Sequence, residues 1–312
     1  MVPWEYLIGA STKVLIKHYG VSSGTLSIDD SDNVRSRNTS KIAHTHKVKY
    51  RSTGGYGQGQ EFVFMVIITD TVSIPVDFHF YNPDPVLSAW KQANNKLKKQ
   101  KIPVKERQKR TTPNPDYPTK ETLALEMIEE FSARFPEVDI KIITADALYC
   151  TGNFMGKSNQ CCPHTQVVTQ LRKNRSARCK NGRWKSLEKY FSQHGGVKID
   201  LIVQGLKKQK SEHSWASIRS ESSRKKHFVI ALKYEGESDY RYLVASNLSW
   251  RATDIVRAYT LRWIVEVFIE EWKSHCGWNV ISKQPGVDGA SRGVILSLSL
   301  LCDHMLLLHP EQ

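Results

Sequence analysis

The spacing of apolar and polar positions predicts a mixed chain of helices and strands. Residues 4–18, WEYLIGASTKVLIKH, carry apolar side chains at helical intervals and predict a short helix. Gly20 to Gly24 interrupts it, and Leu26 and Ile28 then alternate with Thr25 and Ser27 as in a strand. That strand runs into an acidic cluster, Asp29, Asp30 and Asp32. Residues 31–60 are polar, end in TGGYGQGQ, and predict a hairpin loop. Two further strands, 61–69 and 73–81, complete an expected three-stranded antiparallel meander with the acidic cluster at one end. Thr119 opens a helix, TKETLALEMIEEFSARF, that Pro136 closes. A strand ending near Asp146 follows, and then an apolar strand over 165–171. Residues 197–246 read as short alternating strands, and a last apolar helix runs from about Ala290 to Leu308.

One stretch has two distinct faces. In YTLRWIVEVFIEEWK, the residues Tyr259, Arg262, Glu266 and Lys273 project within roughly 60° of one another on a 3.6-residue helix, along about 21 Å of axis. Leu261, Ile264, Val265, Phe268, Ile269 and Trp272 fall on the other side. The expectation is one helix with a buried apolar side, presenting a phenol, a guanidinium, a carboxylate and an ammonium in a line. Gly277 is placed to end or bend it.

Charge narrows the function classes. The 312 residues carry a net charge of +14, with 24% charged and 40% hydrophobic side chains, which points to a globular protein that meets a polyanion, most commonly nucleic acid. Residues 91–110 hold nine Lys or Arg against one Glu and predict a solvated loop that contacts phosphates. A second basic stretch, RKNRSARCKNGRWK, begins at Arg172. No apolar run reaches the ~20 residues of a membrane span, and no secretory signal is visible at Met1. The expected setting is therefore cytoplasmic, on DNA, with no membrane partner. Six cysteines show no disulfide framework, and Cys161-Cys162-Pro163-His164 lacks the paired spacing of a zinc site, so reduced thiols are expected.

An Asp closing the first strand, Asp146 closing a later one and Glu266 on the late helix form the candidate chemical set. Phosphodiester cleavage needs an activated nucleophile and a stabilised leaving oxygen, and two Mg²⁺ ions about 3.5–4 Å apart supply both. Carboxylates from separate elements can hold such ions if a sheet fixes them. Asp29 and Asp32 are expected to be turn or capping residues.

The spacing Y-x2-R-x3-E-x6-K resembles the signature of bacterial insertion-sequence transposases with a DDE triad. SIDDS is similar to that family's first-Asp context and DALYCTGNF to its second. The resemblance implies an RNase H-like α/β fold with a β-rich insertion before the last catalytic helix. It divides the chain into an N-terminal extension (1–24), a first core part (25–171), the insertion (172–252) and C-terminal core helices (253–312). It implies Asp30, Asp146 and Glu266 as catalytic metal ligands for two Mg²⁺ or Mn²⁺. It implies that Tyr259, Arg262 and Lys273 contact DNA phosphates and that Arg172 grips an element end. Tyr242 stands where the family stacks an extruded base, with Trp215 and Trp250 as alternatives. The implied partners are double-stranded DNA, as element ends and target, and a second copy in the DNA complex. Family members carry an end-binding domain ahead of the first Asp, whereas 29 residues precede Asp30 here. End binding is accordingly expected to be mostly electrostatic.

Overall fold

The computed structural model describes residues 4–35, 39, 41–49, 54–173, 175–178, 184–193, 197–201, 209–220, 226–276 and 285–307. Helix α1 (Glu5–His18) leads into strand β1 (Ser23–Val34), followed by β2 (Thr45–Lys49), β3 (Tyr56–Ile68) and β4 (Ser73–Tyr81). Helix α2 (Pro85–Lys99) and helix α3 (Lys120–Arg134) come next, then β5 (Asp139–Ala145), α4 (Gly152–Cys161) and β6 (Gln166–Leu171). The later chain forms β7 (Ser176–Arg178), β8 (Trp184–Ser186), α5 (Leu187–Phe191), β9 (Val197–Leu201), β10 (Gln209–Ser220), β11 (Lys226–Tyr234) and β12 (Arg241–Ala245). Helices α6 (Ala252–Thr260), α7 (Arg262–His275) and α8 (Gly286–Leu307) close it.

The sheet explains why distant residues meet. β1 pairs antiparallel with β3 and parallel with β5, β3 pairs antiparallel with β4, and β5 pairs parallel with β6. The resulting order β4-β3-β1-β5-β6, a meander followed by parallel crossovers, is compatible with an RNase H-like fold. The expected meander is present, but β1 does not stop at the acidic cluster. It stays paired with β3 through Val34, so Asp29, Asp30 and Asp32 are strand residues and not turn or capping residues. Residues 31–60, expected as a hairpin loop, hold the end of β1, β2 and the start of β3.

Gly59 sits where β1, β2 and β3 converge. A Cβ there would lie 2.5 Å from Val48 Cγ2 and 2.8 Å from the Asn33 carbonyl oxygen. Gly59→Ala is therefore expected to cost about 1–3 kcal/mol, as overpacking does, read as a lowered urea midpoint. An unchanged midpoint would show that β2 moves aside freely.

Helices cover the two faces of the sheet. Strand residues alternate in direction, so Leu26 and Ile28 face the cluster that holds Met127, Ile128 and Phe131 of α3 and Phe154 of α4. Phe62 and Phe64 of β3 face the other way, into the cluster with Val265, Ile269 and Trp272 of α7 and Leu298 of α8. The Trp272 ring stacks on Phe64 at 5.6 Å and meets Phe62 edge-on at 5.9 Å. Its indole N–H donates to Ser297 Oγ of α8 at 3.0 Å. Helix α8 has 22 residues and is long and apolar enough to cross a membrane by length and composition, against the sequence expectation. Its Ala290, Val294, Ile295 and Leu298 are buried inside the protein, while Leu296, Leu300 and Leu307 are exposed.

Two other expectations change. Residues 91–110 are not all loop: Asp84 caps α2, accepting from Val86 N and Leu87 N, with Pro85 at its first position. The expected single helix through Tyr259 to Lys273 is two, α6 and α7, meeting at Leu261. There the hydrogen bonds tighten to Leu261 N–Ala258 O (3.2 Å) and Ile264 N–Leu261 O (3.0 Å), an i→i−3 pattern. Gly277 and Cys179 lie outside the described residues. The region read as an insertion is joined to the core, because β12 pairs antiparallel with β6 and β11 with β12.

Candidate active site

β1 carries two adjacent aspartates on opposite faces. Asp30 shares the direction of Ile28, toward α3, while Asp29 pairs in register with Phe64 and faces α7. Asp146 follows β5, the parallel neighbour of β1, so its carboxylate arrives beside them. Its Oδ1 accepts from Leu148 N at 2.7 Å. This fixes the turn after the strand. Asp146 does not cap α4, since Thr151 does that, accepting from Phe154 N. Asp29, Asp30 and Asp146 each offer an oxygen, and these oxygens all lie within 4.8 Å of one another.

Glu266 approaches from α7 on the other side of the same cavity. The cavity, about 640 Å³, is lined by Asp29, Asp30, Asp146, Glu266, Arg262 and Lys273 among others. Asp30 and Asp146 are thus brought together, and Glu266 faces them with its carboxylate held elsewhere. Arg262 Nη1 lies 2.5 Å from Glu266 Oε1 and 3.1 Å from Asp29 Oδ2. The guanidinium also sits 5.5 Å from the centroid of the Tyr259 ring. On Asp30, Lys120 Nζ donates to Oδ2 at 2.6 Å.

These pairings sit in a buried site where carboxylates also repel one another. Burial raises the Asp29 carboxyl to about 7, against the pull of Arg262 and the Asp30 N–H, with Asp30 and Glu266 adding repulsion. Asp146 is raised by burial and then by Asp30, in spite of its bond from Leu148 N. Burial opposes the charge on Arg262, yet Tyr259, Glu266 and Asp29 together hold it firmly protonated.

Three clustered carboxylates with a fourth across a cavity fit a divalent cation. Mg²⁺ takes hard oxygens at about 2.1 Å, so opposite ligands stand about 4.2 Å apart. The three oxygens, all within 4.8 Å of one another, are near enough to share one such ion. Asp29, Asp30 and Asp146 would hold such an ion, and Glu266 would join after leaving Arg262. A bound divalent ion supplies charge stabilisation and an activated oxygen nucleophile.

The other residues singled out in the sequence fall in different places. Lys273 Nζ donates to Ser31 Oγ and to the Asp32 carbonyl oxygen, both at 2.6 Å, and so ties α7 to β1 at the rim of the cavity. Tyr259 is buried, its hydroxyl donating to Gln170 Oε1 at 2.8 Å, so it is not part of an exposed stripe. Arg172 is exposed just past β6. Tyr242 is a core residue of β12, 3% exposed and stacked on Phe191 at 5.8 Å, so its ring is not presented to a base in this conformation. Trp250 is partly buried against the α6 cluster. Trp215 belongs to β10, and its side chain lies outside what is described.

Sequence reasoning missed Asp29, Lys120, Glu61 and Gln170 as site residues. Lys120 had one available signal, as the first residue of a helix capped by Thr119.

A mixed sheet carrying acidic residues at β1 and at the end of its parallel neighbour is the framework of a metal-dependent nuclease. The family model described as DDE superfamily endonuclease matches residues 7–217, and the chain belongs to that family. The matched segment contains Asp29, Asp30 and Asp146, and Glu266 lies beyond it. No curated protein sequence matches the chain. Membership supports nuclease chemistry on DNA, with divalent ions as the family's usual cofactors.

Proposed function

We propose that the protein is the transposase of a bacterial insertion sequence, cutting DNA at the element's ends and joining the freed 3′-hydroxyls to target DNA. The observation that carries this reading is the convergence of Asp30, Asp146 and Glu266, from three separate parts of the chain, on one open cavity. In this reading those residues hold two Mg²⁺ or Mn²⁺ ions, with Asp29 supporting them. Arg262 and Lys273 then orient a phosphate at the rim, Arg as a fork and Lys as a point charge. Arg172, exposed beyond β6, contacts an element end. The enzyme acts as a dimer on DNA in the cytoplasm, at the nucleoid.

The balance of this chemistry needs only water, DNA and a proton acceptor. Water adds to phosphorus and the 3′-oxygen leaves with a proton; that hydroxyl later attacks a target phosphodiester and displaces the target's own 3′-oxygen, which leaves with a proton. A nuclease that cuts without joining is the second reading, favoured by the family description itself. Labelled DNA carrying the repeats that flank the gene separates the two. With Mg²⁺ or Mn²⁺, products covalently joined to a target plasmid support the transposase. Cleaved ends without joined products support the nuclease, and no metal-dependent cleavage removes both.

The basic arm outside the cavity gives a further expectation. Helix α2 has no buried residue. It rests on a half-buried seam of Leu87, Trp90, Asn94 and Leu97, and leaves Lys91, Lys98 and Lys99 exposed. If these contact phosphates, replacing all three by Ala should make log K against log salt shallower by about 3, at roughly 0.9 per phosphate released. Filter binding across 50–300 mM salt measures this, and an unchanged slope would take α2 off the DNA.

A further inference from the structure

We propose that Lys120 is a resident counter-cation and positioning residue for Asp30, and that with Glu61 behind it, it sets how tightly the acidic cluster takes a divalent ion. This rests on the reading of Asp29, Asp30 and Asp146 as a metal site. Lys120 Nζ lies 2.6 Å from Asp30 Oδ2 and 3.3 Å from Glu61 Oε1. The other oxygen of Glu61 lies 2.9 Å from His46 Nε2. Together they form a chain from β2 through β3 and the first residue of α3 to Asp30 on β1. The ammonium also sits 5.2 Å from the centroid of the Tyr81 ring, whose edge meets the His46 ring at 6.1 Å. The Lys120 side chain is 12% exposed, so its charge is little screened by water.

Two physical consequences follow. Lys120 occupies one oxygen of Asp30 and leaves the other for the cluster, which fixes the rotamer of that carboxylate. It also places a positive charge beside a site meant for a divalent cation, so it opposes metal binding. Glu61 offsets that charge. The pair is therefore a balance whose two members act in opposite directions on the same equilibrium. A side chain that merely fills space or supports the fold does not produce opposite signs.

The test is Mn²⁺ binding by the full chain without DNA, followed by electron paramagnetic resonance of free Mn²⁺. Asp146→Asn serves as the control for the site. Lys120→Met should bind Mn²⁺ more tightly and Glu61→Gln more weakly, each by about tenfold for a unit charge several ångströms away in a partly screened site. Lys120→Arg should stay near the parent value. In Mg²⁺, Lys120→Met should also lower the rate of cleavage at saturating metal, because Asp30 loses its fixed orientation. If both variants shift in the same direction, or neither shifts while the parent still binds Mn²⁺ through Asp146, the proposal is overturned and the metal site stands. If the parent and Asp146→Asn bind Mn²⁺ equally, the metal site itself is wrong and the proposal falls with it.

Discussion

Glu266→Gln is expected to bind DNA about as well as the parent while strand cleavage falls by several orders of magnitude. Gln keeps the shape of the side chain and loses its charge, so a ligand oxygen becomes a poor one. The several kcal/mol a bound ion gives the transition state, at 1.36 kcal/mol per tenfold, sets the scale of the loss. The fold should survive, because the Glu266 side chain is 35% exposed and Arg262 keeps Asp29 as a partner. Asp30→Asn and Asp146→Asn should behave alike. Single-turnover cleavage of end-labelled DNA, alongside a binding isotherm in Ca²⁺, separates chemistry from affinity. Near-parent cleavage by Glu266→Gln in Mg²⁺ would make α7 only a DNA-contacting face and place the reaction on the aspartates alone.

What was legible in the sequence depended on whether one period explained each stretch. The meander and the position of Asp146 at the end of β5 followed from alternation and from an apolar run. The apolar side of α7 followed from helical spacing, and Val265, Ile269 and Trp272 are buried as that spacing requires. Asp29 was not legible, because β1 is covered on both faces. Ser27 and Asp29 point toward one layer and Leu26, Ile28 and Asp30 toward the other, and both layers are protein. A polar residue of either parity can therefore be buried. The break at Leu261 left no mark, since its backbone stays helical (φ −65°, ψ −23°) and no Gly or Pro announces it. Tyr259 is buried in the cluster under α6, with the Arg262 guanidinium over its ring, and is not exposed beside Glu266 and Lys273. The burial of Tyr242 was not legible for the same reason, since it belongs to a central strand between β6 and β11. Helix α2 was readable: Asp84-Pro85 is a start signal, and Leu87, Trp90, Asn94 and Leu97 recur at helical spacing. The density of lysines in that stretch concealed them.

Arg262→Ala should be the most destabilising change near the cavity. It removes the partner of Asp29 and of Glu266, and both Arg262 and Asp29 have side chains no more than 15% exposed. Breaking such a pair leaves a charge out of water with nothing to offset it, which costs about 3 kcal/mol or more. The size of the loss should depend on pH with a definite sign. In the parent, burial already raises the Asp29 carboxyl to about 7. Without Arg262, the largest lowering influence on it is gone, so the folded-state value moves higher still, while the unfolded value stays near 3.8. Between those two values the folded variant holds a proton that the unfolded chain has released. Stability must then fall as pH rises through that window, in the parent only up to about 7 and in the variant beyond it, so the two diverge above about 7. The urea midpoint of Arg262→Ala should accordingly lie closer to the parent at pH 5 than at pH 7.5. Adding Asp29→Asn should restore part of the loss at pH 7.5 and flatten the dependence, because the amide carries no charge to strand. A double-mutant cycle at the two pH values measures the coupling directly. Strictly additive losses, equal at both pH values, would mean that Arg262 and Asp29 do not act as a pair and that Glu266 alone holds this arginine.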